Sequence, residues 1–282
     1  MDLALAVSLL RSVSVIVPTF KEADNLPELL RRLREVRERH GLDLEVLVMD
    51  DDSRDGSVEV VQRFGEPWAE IVVRTQDKGL SPAVTDGLYR ARKDVIVVMD
   101  ADLSHPPEKI PELLAALALG ADFVIGSRYV DGGTTDDDWG LLRWLNSRIA
   151  TFLAKPLTRA EDPMSGFFAL RRSSLEGAKL NAVGYKIGLE LIVKCHLQKV
   201  VEVPIHFADR VRGESKLTLA QQLLYLRHLR RLYIHKFAAI SEILQLAAVG
   251  GSGVLVNLSA LAGLTAVGVD EPIAVVEDVG RG

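Results

Sequence analysis

Cysteine is almost absent from the 282-residue sequence, since Cys195 is the only one. One thiol excludes an internal disulfide, which is typical of proteins that face a reducing cytosol. The six histidines show no spacing typical of a zinc site. No G-x-G-x-x-G pattern opens a predicted helix, and G-x-x-x-x-G-K does not occur, so a dinucleotide-binding fold is poorly supported and a P-loop is excluded.

Positive charge is also in short supply, because the net charge is −5 and the isoelectric point is near 5.7. This balance argues against a nucleic-acid partner. Apolar residues make up 48% of the chain and the mean hydropathy is +0.15, which is high for a purely soluble enzyme. The run 243–269 contains no Asp, Glu, Lys or Arg over 27 residues. Since about 20 apolar residues cross a bilayer, the run predicts a transmembrane helix.

The charges on either side of that run predict its orientation. A basic cluster precedes it and Asp270-Glu271 follow it, which places the rest of the chain on the cytoplasmic face of a membrane. We therefore expect a catalytic domain over 1–236 and a membrane segment over 237–282. The sequence ends about a dozen residues after the run, too few for a second span, so a truncated chain is one interpretation.

Apolar strand patterns alternate with helical patterns over the first half of the chain. This alternation predicts an α/β fold with a mostly parallel, Rossmann-like sheet flanked by helices. Two later segments, 139–157 and 217–236, predict amphipathic helices that lie in a membrane interface. The first could also be an ordinary helix that faces the core. The predicted strands are 12–18, 44–49, 70–74, 95–99, 122–126, 167–170 and 200–207, and the predicted helices before residue 120 are 25–40, 55–64, 81–92 and 107–119.

An Asp-x-Asp pair ends the most apolar strand, over 95–99. Side chains alternate along a strand, so Asp100 and Asp102 point to the same side. Two close carboxylates repel each other unless a cation lies between them, and hard oxygen ligands suit Mg²⁺ or Mn²⁺. The alternative is a solvated turn that caps the helix near Pro106-Pro107.

Six motifs occur in the order and at the distances found in one family. From about Val13 to its end the chain resembles the dolichol-phosphate (polyprenol-phosphate) mannose synthases, which are family 2 glycosyltransferases with the GT-A fold. The resemblance implies that mannose passes from GDP-mannose to a dolichyl or polyprenyl phosphate with inversion, at a lipid bilayer and with Mg²⁺ or Mn²⁺. The motifs are PTFKE, DDDSRDG, DADLSHPPE, GSRYV, DPMSGFFALRR and FADRVRGESKL.

The resemblance also implies the site residues. Asp102 and Arg128 take the catalytic positions, and the loop with Arg210 and Lys216 is expected to close over the donor diphosphate. Ser104 stands where the family often has glutamine, and Phe20-Lys21 replaces a Tyr-Asn pair. The matched positions are Pro18, Phe20, Glu22, Asp51, Asp100, Ala101, Asp102, Ser104, Arg210 and Lys216 for the nucleotide sugar; Asp100, Asp102 and Ser104 for the metal; and Arg128, Arg143 and Ser147 for the acceptor phosphate.

Several alternatives stay open on the sequence. The donor could be UDP-glucose or another nucleotide sugar, because nothing in the sequence distinguishes guanine from uracil. A processive polysaccharide synthase is disfavoured because the glutamine of Q-x-x-R-W is missing before Arg143-Trp144. A non-catalytic membrane scaffold is disfavoured because the aspartates and the basic pair are present. Asp162, Pro163 and Ser165 are expected to shape the pocket floor, and Lys186 with Glu190 forms either an ion pair or a sugar contact.

Overall fold

The computed structural model describes residues 3–135, 141–181, 184, 186–208 and 219–239, with five isolated positions between 252 and 262. For 141–147 and 219–221 the description covers the backbone alone. The chain divides into two compact units, Met1–Leu232 and Tyr233–Gly282. The sheets and the candidate site described below belong to the first unit.

In the described part of the chain, nine strands form two sheets. The larger has seven strands in the order β3-β2-β1-β4-β7-β5-β8, and β7 runs antiparallel to both of its neighbours while the other pairs are parallel. The smaller joins β6 and β9 in parallel. The strands are β1 (Ser12–Thr19), β2 (Asp43–Asp50), β3 (Ala69–Val73), β4 (Val95–Val98), β5 (Phe123–Ser127), β6 (Thr134–Thr135), β7 (Phe168–Arg171), β8 (Val200–Pro204) and β9 (His206–Phe207).

Helices cover both faces of the large sheet, as a mostly parallel sheet requires. Side chains of β1 alternate, so Val13, Val15 and Val17 face the core on one side while Ile16 faces the core on the other. The helices are α1 (Leu3–Ser8), α2 (Leu26–His40), α3 (Ser57–Phe64), α4 (Leu80–Arg90), α5 (Ile110–Ala118), α6 (Leu141–Ala154), α7 (Ile187–Lys194) and α8 (Leu219–Lys236).

Helix α2 illustrates how the sequence forms these elements. Five buried apolar residues at helical spacing face the core, and Pro27 occupies the first turn, where its missing N–H is not needed. Gly41 follows with φ of 60°, and its N–H donates to the carbonyl of Arg37. Only glycine adopts this left-handed conformation without a steric penalty, so the helix ends there. The buried positions are Leu26, Leu29, Leu30, Leu33 and Val36.

The predicted mostly parallel α/β architecture is confirmed, and three details differ from the prediction. The predicted strand 200–207 is broken at Ile205, because β8 stays in the large sheet while β9 pairs with β6. Strand β6 lies where no strand was predicted, and α1 precedes the first predicted strand. Such short elements depend on tertiary partners, and a sequence pattern of two residues carries no periodicity.

The predicted transmembrane helix over 243–269 lies outside the described residues, apart from the five isolated positions. Within the part of the chain that the structure describes, no helix combines the length and apolar character needed to cross a bilayer. Helices α6 and α8 lie where the two amphipathic helices were expected.

Candidate active site

The carboxyl ends of three neighbouring strands bring the predicted acidic motifs together. Strand β1 is central, and its register pairs Thr19 with Asp50 on one side and Ile16 with Val98 on the other. The Asp-x-Asp pair therefore follows β4 beside the end of β1. Ligands of open α/β sheets bind at this edge, which is where the sequence placed them.

The Asp-x-Asp turn is held by its own neighbours. Asp102 is buried, and its Oδ1 accepts hydrogen bonds from the backbone N–H of Ser104 at 3.1 Å and from the Ser104 hydroxyl at 2.5 Å. The serine thus orients the carboxylate in this structure, and its predicted role as a metal ligand stays a prediction. Asp100 keeps 26% of its side chain exposed.

His105 fixes the backbone of Asp100. The N–H of Asp100 donates to His105 Nδ1 at 3.0 Å, so the ring is neutral and carries its proton on Nε2. Burial lowers the pKa of His105, although Asp100 and Asp102 oppose this shift. The ring stacks on Phe167 with centroids 5.4 Å apart and meets Phe207 edge-on. His105 is therefore a neutral, buried ring that packs beneath the turn with Asp100 and Asp102.

The two carboxylates at this turn fit a divalent cation that takes its remaining ligands from a substrate and water. A Cβ on Gly166 would lie 3.2 and 3.3 Å from the two carboxylate oxygens of Asp100, so a side chain at this position would crowd the carboxylate. Among the residues that the structure describes, no cluster of three or more His, Cys, Asp or Glu is placed to hold a metal. Mg²⁺ commonly uses one or two carboxylates and takes its other ligands from phosphates and water. Asp100 and Asp102 are therefore the two carboxylates that would hold such an ion.

Asp51 is held by a second network that the sequence did not reveal. Its carboxylate accepts from the Arg74 guanidinium and, at 2.6 Å, from the backbone N–H of Gly79. Arg74 is buried and also donates to Asp86 at 2.7 Å and to the carbonyl of Asp77 at 2.8 Å. The arginine thereby joins the ends of β2 and β3 to the middle of α4, and it fixes the position of Asp51.

Strained backbone concentrates at the same edge of the sheet. Non-glycine residues with positive φ are uncommon, and they cluster at functional sites where the surrounding structure holds them in place. Five of the six among the described residues follow the carboxyl ends of β1 to β4, with φ between 46° and 66°. They are Lys21, Asp52, Arg54, Asp77 and Leu103.

The opposite side of the pocket centres on Arg128, which follows β5. Asp162 accepts from Arg128 Nε and Nη2, both at 2.7 Å, and also from its backbone N–H at 3.1 Å. The arginine side chain is 9% exposed and that of Asp162 is fully buried. Burial alone disfavours the charged guanidinium, but the bond to Asp162 outweighs it and raises the pKa of Arg128. Rings of Tyr129 and Phe207 flank the guanidinium.

Strand β8 holds Asp162 in turn. Glu202 accepts from the backbone N–H of Glu161 at 2.7 Å and from that of Asp162 at 2.9 Å. The orientation of Arg128 therefore depends on a chain of charge-assisted hydrogen bonds that runs back to the sheet.

Lys186 lies between the two sides, immediately before α7. Its Nζ donates to the carbonyl of Met164 at 2.9 Å. It lines a cavity of about 10 Å³ with Pro18, Asp100 and Gly166. Although part of the residue reaches solvent, protein atoms surround the ammonium, and this burial lowers the pKa of Lys186 to about 8. Arg128 acts in the same direction, while Asp162 and Asp100 oppose it.

The remaining predicted residues fall into two groups. Phe20 is 43% exposed, Glu22 accepts from the Asn25 side chain at 2.6 Å, and Ala101 is buried. Other predicted contacts lie outside the description, and their roles stay predictions. They are Arg210 and Lys216 as whole residues, and Arg143 and Ser147 as side chains.

Sequence reasoning missed three contributors to this site. Arg74 and Glu202 carry no local motif, because each meets its partner across more than 20 residues of chain. His105 did have a signal, since it follows an Asp-x-Asp pair within one short turn. Its role as an acceptor of a backbone N–H required the structure.

A mostly parallel sheet with acidic turns at its strand ends is typical of α/β enzymes that bind their ligands at this edge. Solved structures agree on the fold. A glucosyl-3-phosphoglycerate synthase from Mycobacterium tuberculosis, in complex with Mn²⁺, uridine diphosphate and glucosyl-3-phosphoglycerate, superposes with a TM-score of 0.62 over 83% of this chain and 82% of that chain. At 20% identity the likeness shows the fold alone, which is GT-A.

The sequence comparisons show the family. The model of glycosyl transferase family 2 matches residues 14–177, and the chain belongs to this family. A dolichol-phosphate mannosyltransferase from Pyrococcus furiosus is 44% identical over 95% of this chain and 76% of the relative. The enzymes of that name from Mycosarcoma maydis and Saccharomyces cerevisiae are 44% and 42% identical, over 81% and 82% of this chain and 81% and 90% of their own. The predicted resemblance is confirmed.

Proposed function

We propose that this chain transfers mannose from GDP-mannose to a dolichyl or polyprenyl phosphate, with inversion at the anomeric carbon and with Mg²⁺ or Mn²⁺. The observation that carries the proposal is the 42–44% identity, over more than four fifths of the chain, to three enzymes named for mannosyl transfer to dolichol phosphate. The acidic strand ends and the arginine opposite them supply the chemistry that this reaction needs.

The carboxylates serve the donor. Asp100 and Asp102 would hold the divalent cation, which supplies positive charge to the departing diphosphate when bound. Ser104 keeps the Asp102 carboxylate oriented through the two hydrogen bonds to Oδ1. Asp51, held by Arg74, would accept hydrogen bonds from the nucleoside. Arg210 and Lys216 would bind the diphosphate from the other side, as the resemblance implies.

The acceptor brings its own nucleophile. A phosphate monoester is anionic near neutral pH, so its oxygen attacks the anomeric carbon without a strong general base, and the bond from that carbon to the diphosphate breaks. The role of the protein is to hold two anions at reacting distance. Arg128, held in place by Asp162, would contact the acceptor phosphate through its guanidinium.

A lipid acceptor also requires contact with a membrane, and the described part of α6 and α8 supports this part of the proposal. Phe152 is 75% exposed and Ile149 is 49% exposed on α6, while Leu223 is 61% exposed on α8. The Tyr225 hydroxyl donates to the carbonyl of Ala150 at 2.7 Å, so the two helices pack together. Exposed apolar side chains beside arginines are typical of interfacial helices. With 243–269 as a membrane span, the active site would face the cytoplasm.

A panel of nucleotide sugars with one short-chain polyprenyl phosphate tests the proposal on a purified sample. We expect transfer from GDP-mannose in Mn²⁺ or Mg²⁺, with a β-linked product identified by its anomeric NMR signal. Preferential transfer from UDP-glucose would show that UDP-glucose, and not GDP-mannose, is the donor. Absence of transfer from every donor, in a sample that binds the lipid phosphate, would favour a scaffold.

A further inference from the structure

Two hydrogen bonds join the turn after β1 to the turn after β2, at the edge of the sheet where ligands bind. The N–H of Asp51 donates to the carbonyl of Thr19 at 3.0 Å, and the N–H of Lys21 donates to the hydroxyl of Ser53 at 2.9 Å. These contacts lie on either side of Phe20 along the chain, and Phe20 is 43% exposed. The main chain of an exposed aromatic residue is therefore held next to Asp51, whose proposed ligand is the nucleoside.

A buried carboxylate fixes the direction of the Ser53 hydroxyl. Asp50 accepts from this hydroxyl at 2.5 Å and from the N–H of Ser53 at 2.9 Å, and both residues are buried. A backbone N–H only donates, so the serine oxygen accepts from Lys21 and directs its own hydrogen to Asp50. Ser53 thereby connects the turn after β1 to the buried end of β2.

The backbone at this junction is in an unfavourable conformation that the contacts hold in place. Lys21 has φ of 62°, and Ser53 lies between Asp52 and Arg54, with φ of 56° and 53°. Such left-handed conformations are uncommon for residues other than glycine and persist where the surrounding structure over-determines them. Because Ser53 binds the N–H of Lys21, loss of its hydroxyl would allow the main chain next to Phe20 to leave this conformation. The direction of the Phe20 ring would change with it.

We propose that Ser53 is a positioning residue for the donor nucleotide, and that it acts by holding Phe20 where the ring contacts the base beside Asp51. Every nucleobase presents a flat π face on which an aromatic ring can stack. The contact therefore strengthens binding of a nucleoside diphosphate without distinguishing guanine from uracil. The inference rests on the proposed function for the presence of such a donor.

Calorimetric titration of the whole chain with GDP plus Mn²⁺ tests the proposal without turnover. Ser53→Ala removes both hydroxyl contacts and should weaken GDP binding about tenfold, whereas Ser53→Thr keeps the hydroxyl and should keep most of the affinity. Phe20→Ala should also weaken binding about tenfold. The variant with both alanines should bind no more weakly than Phe20→Ala alone, because Ser53 acts through the ring. A purely structural role for Ser53 would not produce this non-additivity.

Ser14→Ala is the matched control, because Ser14 makes the same pair of contacts at the opposite end of β1. Its buried hydroxyl donates to the buried carboxylate of Glu45 at 2.6 Å and accepts from the N–H of Lys93 at 3.1 Å. Ser14→Ala should lower the melting temperature about as much as Ser53→Ala does, since both leave a carboxylate and an N–H without their partner. Its affinity for GDP should equal that of the wild type.

Ser53→Cys carries the test if Ser53→Ala does not fold. It keeps only a weak donor and a weak acceptor, so it should lose part of the affinity for GDP. Wild-type affinity in every folded variant that lacks the hydroxyl would overturn the proposal. So would an equal loss of affinity in Ser14→Ala, or losses that add in full when Ser53→Ala is combined with Phe20→Ala. A wild type that binds GDP but transfers no mannose would remove the proposed reaction and leave the inference about Ser53 standing.

Discussion

Two sides of the pocket are built in different ways. On the carboxylate side (Asp51, Asp100 and Asp102) the acidic motifs end neighbouring parallel strands, and Asp102 is oriented by Ser104, two residues away. On the arginine side (Arg128 and Asp162) the contacts join distant parts of the chain. Arg128 meets Asp162 across 34 residues, and Asp162 meets Glu202 across 40.

This contrast has a physical origin. A turn that follows a strand can hold a carboxylate by local hydrogen bonds, so its geometry is largely a property of the short peptide. A buried arginine needs a buried counter-charge, and only the folded sheet can bring one from another segment. We therefore expect substitutions of Asp100 and Asp102 to affect mainly catalysis, whereas Asp51 also pairs with the buried Arg74. On the arginine side they should affect stability as well.

The largest effect should come from Asp102→Asn. Removing one of two carboxylates weakens a hard-cation site, so turnover should fall by about a hundredfold or more while the melting temperature changes little. Excess chelator should abolish wild-type activity, and added Mn²⁺ or Mg²⁺ should restore it. Full activity in chelator would rule out the metal.

Asp94→Asn is the control for that substitution. Asp94 is exposed and lies just before β4, whereas Asp100 and Asp102 lie just after it. The same chemical change at the opposite end of the strand should leave both turnover and stability unchanged. An equal loss of activity in both variants would show that the effect is not specific to the carboxylate side.

Asp162→Ala should destabilise the fold as well as impair catalysis. It leaves the guanidinium of Arg128 buried without its counter-charge, which costs about 3–5 kcal/mol in the free energy of unfolding. Denaturant titration measures this loss. Glu161→Ala is the matched neighbour, because the Glu161–Lys155 pair is exposed and should contribute about 0–1 kcal/mol. Equal losses in the two variants would contradict the expected difference between a buried and an exposed ion pair.

Arg143→Ala tests whether α6 contributes to the binding of the acceptor phosphate. If Arg143 binds the acceptor phosphate, the variant should raise the KM for polyprenyl phosphate. The binding free energy of this substrate should fall by about 1.5–3 kcal/mol, and donor affinity should stay unchanged. Arg143→Lys should rescue this only in part, because an ammonium cannot bind phosphate with two parallel bonds. Steady-state kinetics with each substrate varied separately measure the split. Wild-type acceptor kinetics combined with loss of membrane binding would make Arg143 a lipid-surface anchor.

The smallest predicted effect is a pH dependence from Lys186. With its pKa lowered to about 8, the ammonium is charged below that pH and neutral above it. Between pH 8 and the ordinary lysine value near 10.5 the unfolded chain holds the proton and the folded chain does not. The contribution of Lys186 to stability thus rises with pH across that window. Melting curves at several pH values check this gain in stability.

The carboxylate side was predictable from the sequence because its signals are local. Apolar runs of about five residues, each ending in Asp or Glu, predicted both the strands and the edge at which they end. The positions of Asp51, Asp100 and Asp102 followed from alternation and from the rule that parallel strands bind ligands at their carboxyl ends. Arg74 was not predictable, since nothing near it in the sequence indicates that it holds Asp51.

The sequence by itself determined the mostly parallel sheet, the acidic turns and the family, because each depends on short-range patterns and motif order. Only the tertiary structure decided that β7 enters the sheet antiparallel between β4 and β5, and that Asp162 neutralises Arg128. It also decided that Glu190 pairs with Lys194, while Lys186 donates to the carbonyl of Met164. Long-range pairing of charges depends on which segments the folded sheet brings together, and the local sequence does not indicate which segments those are.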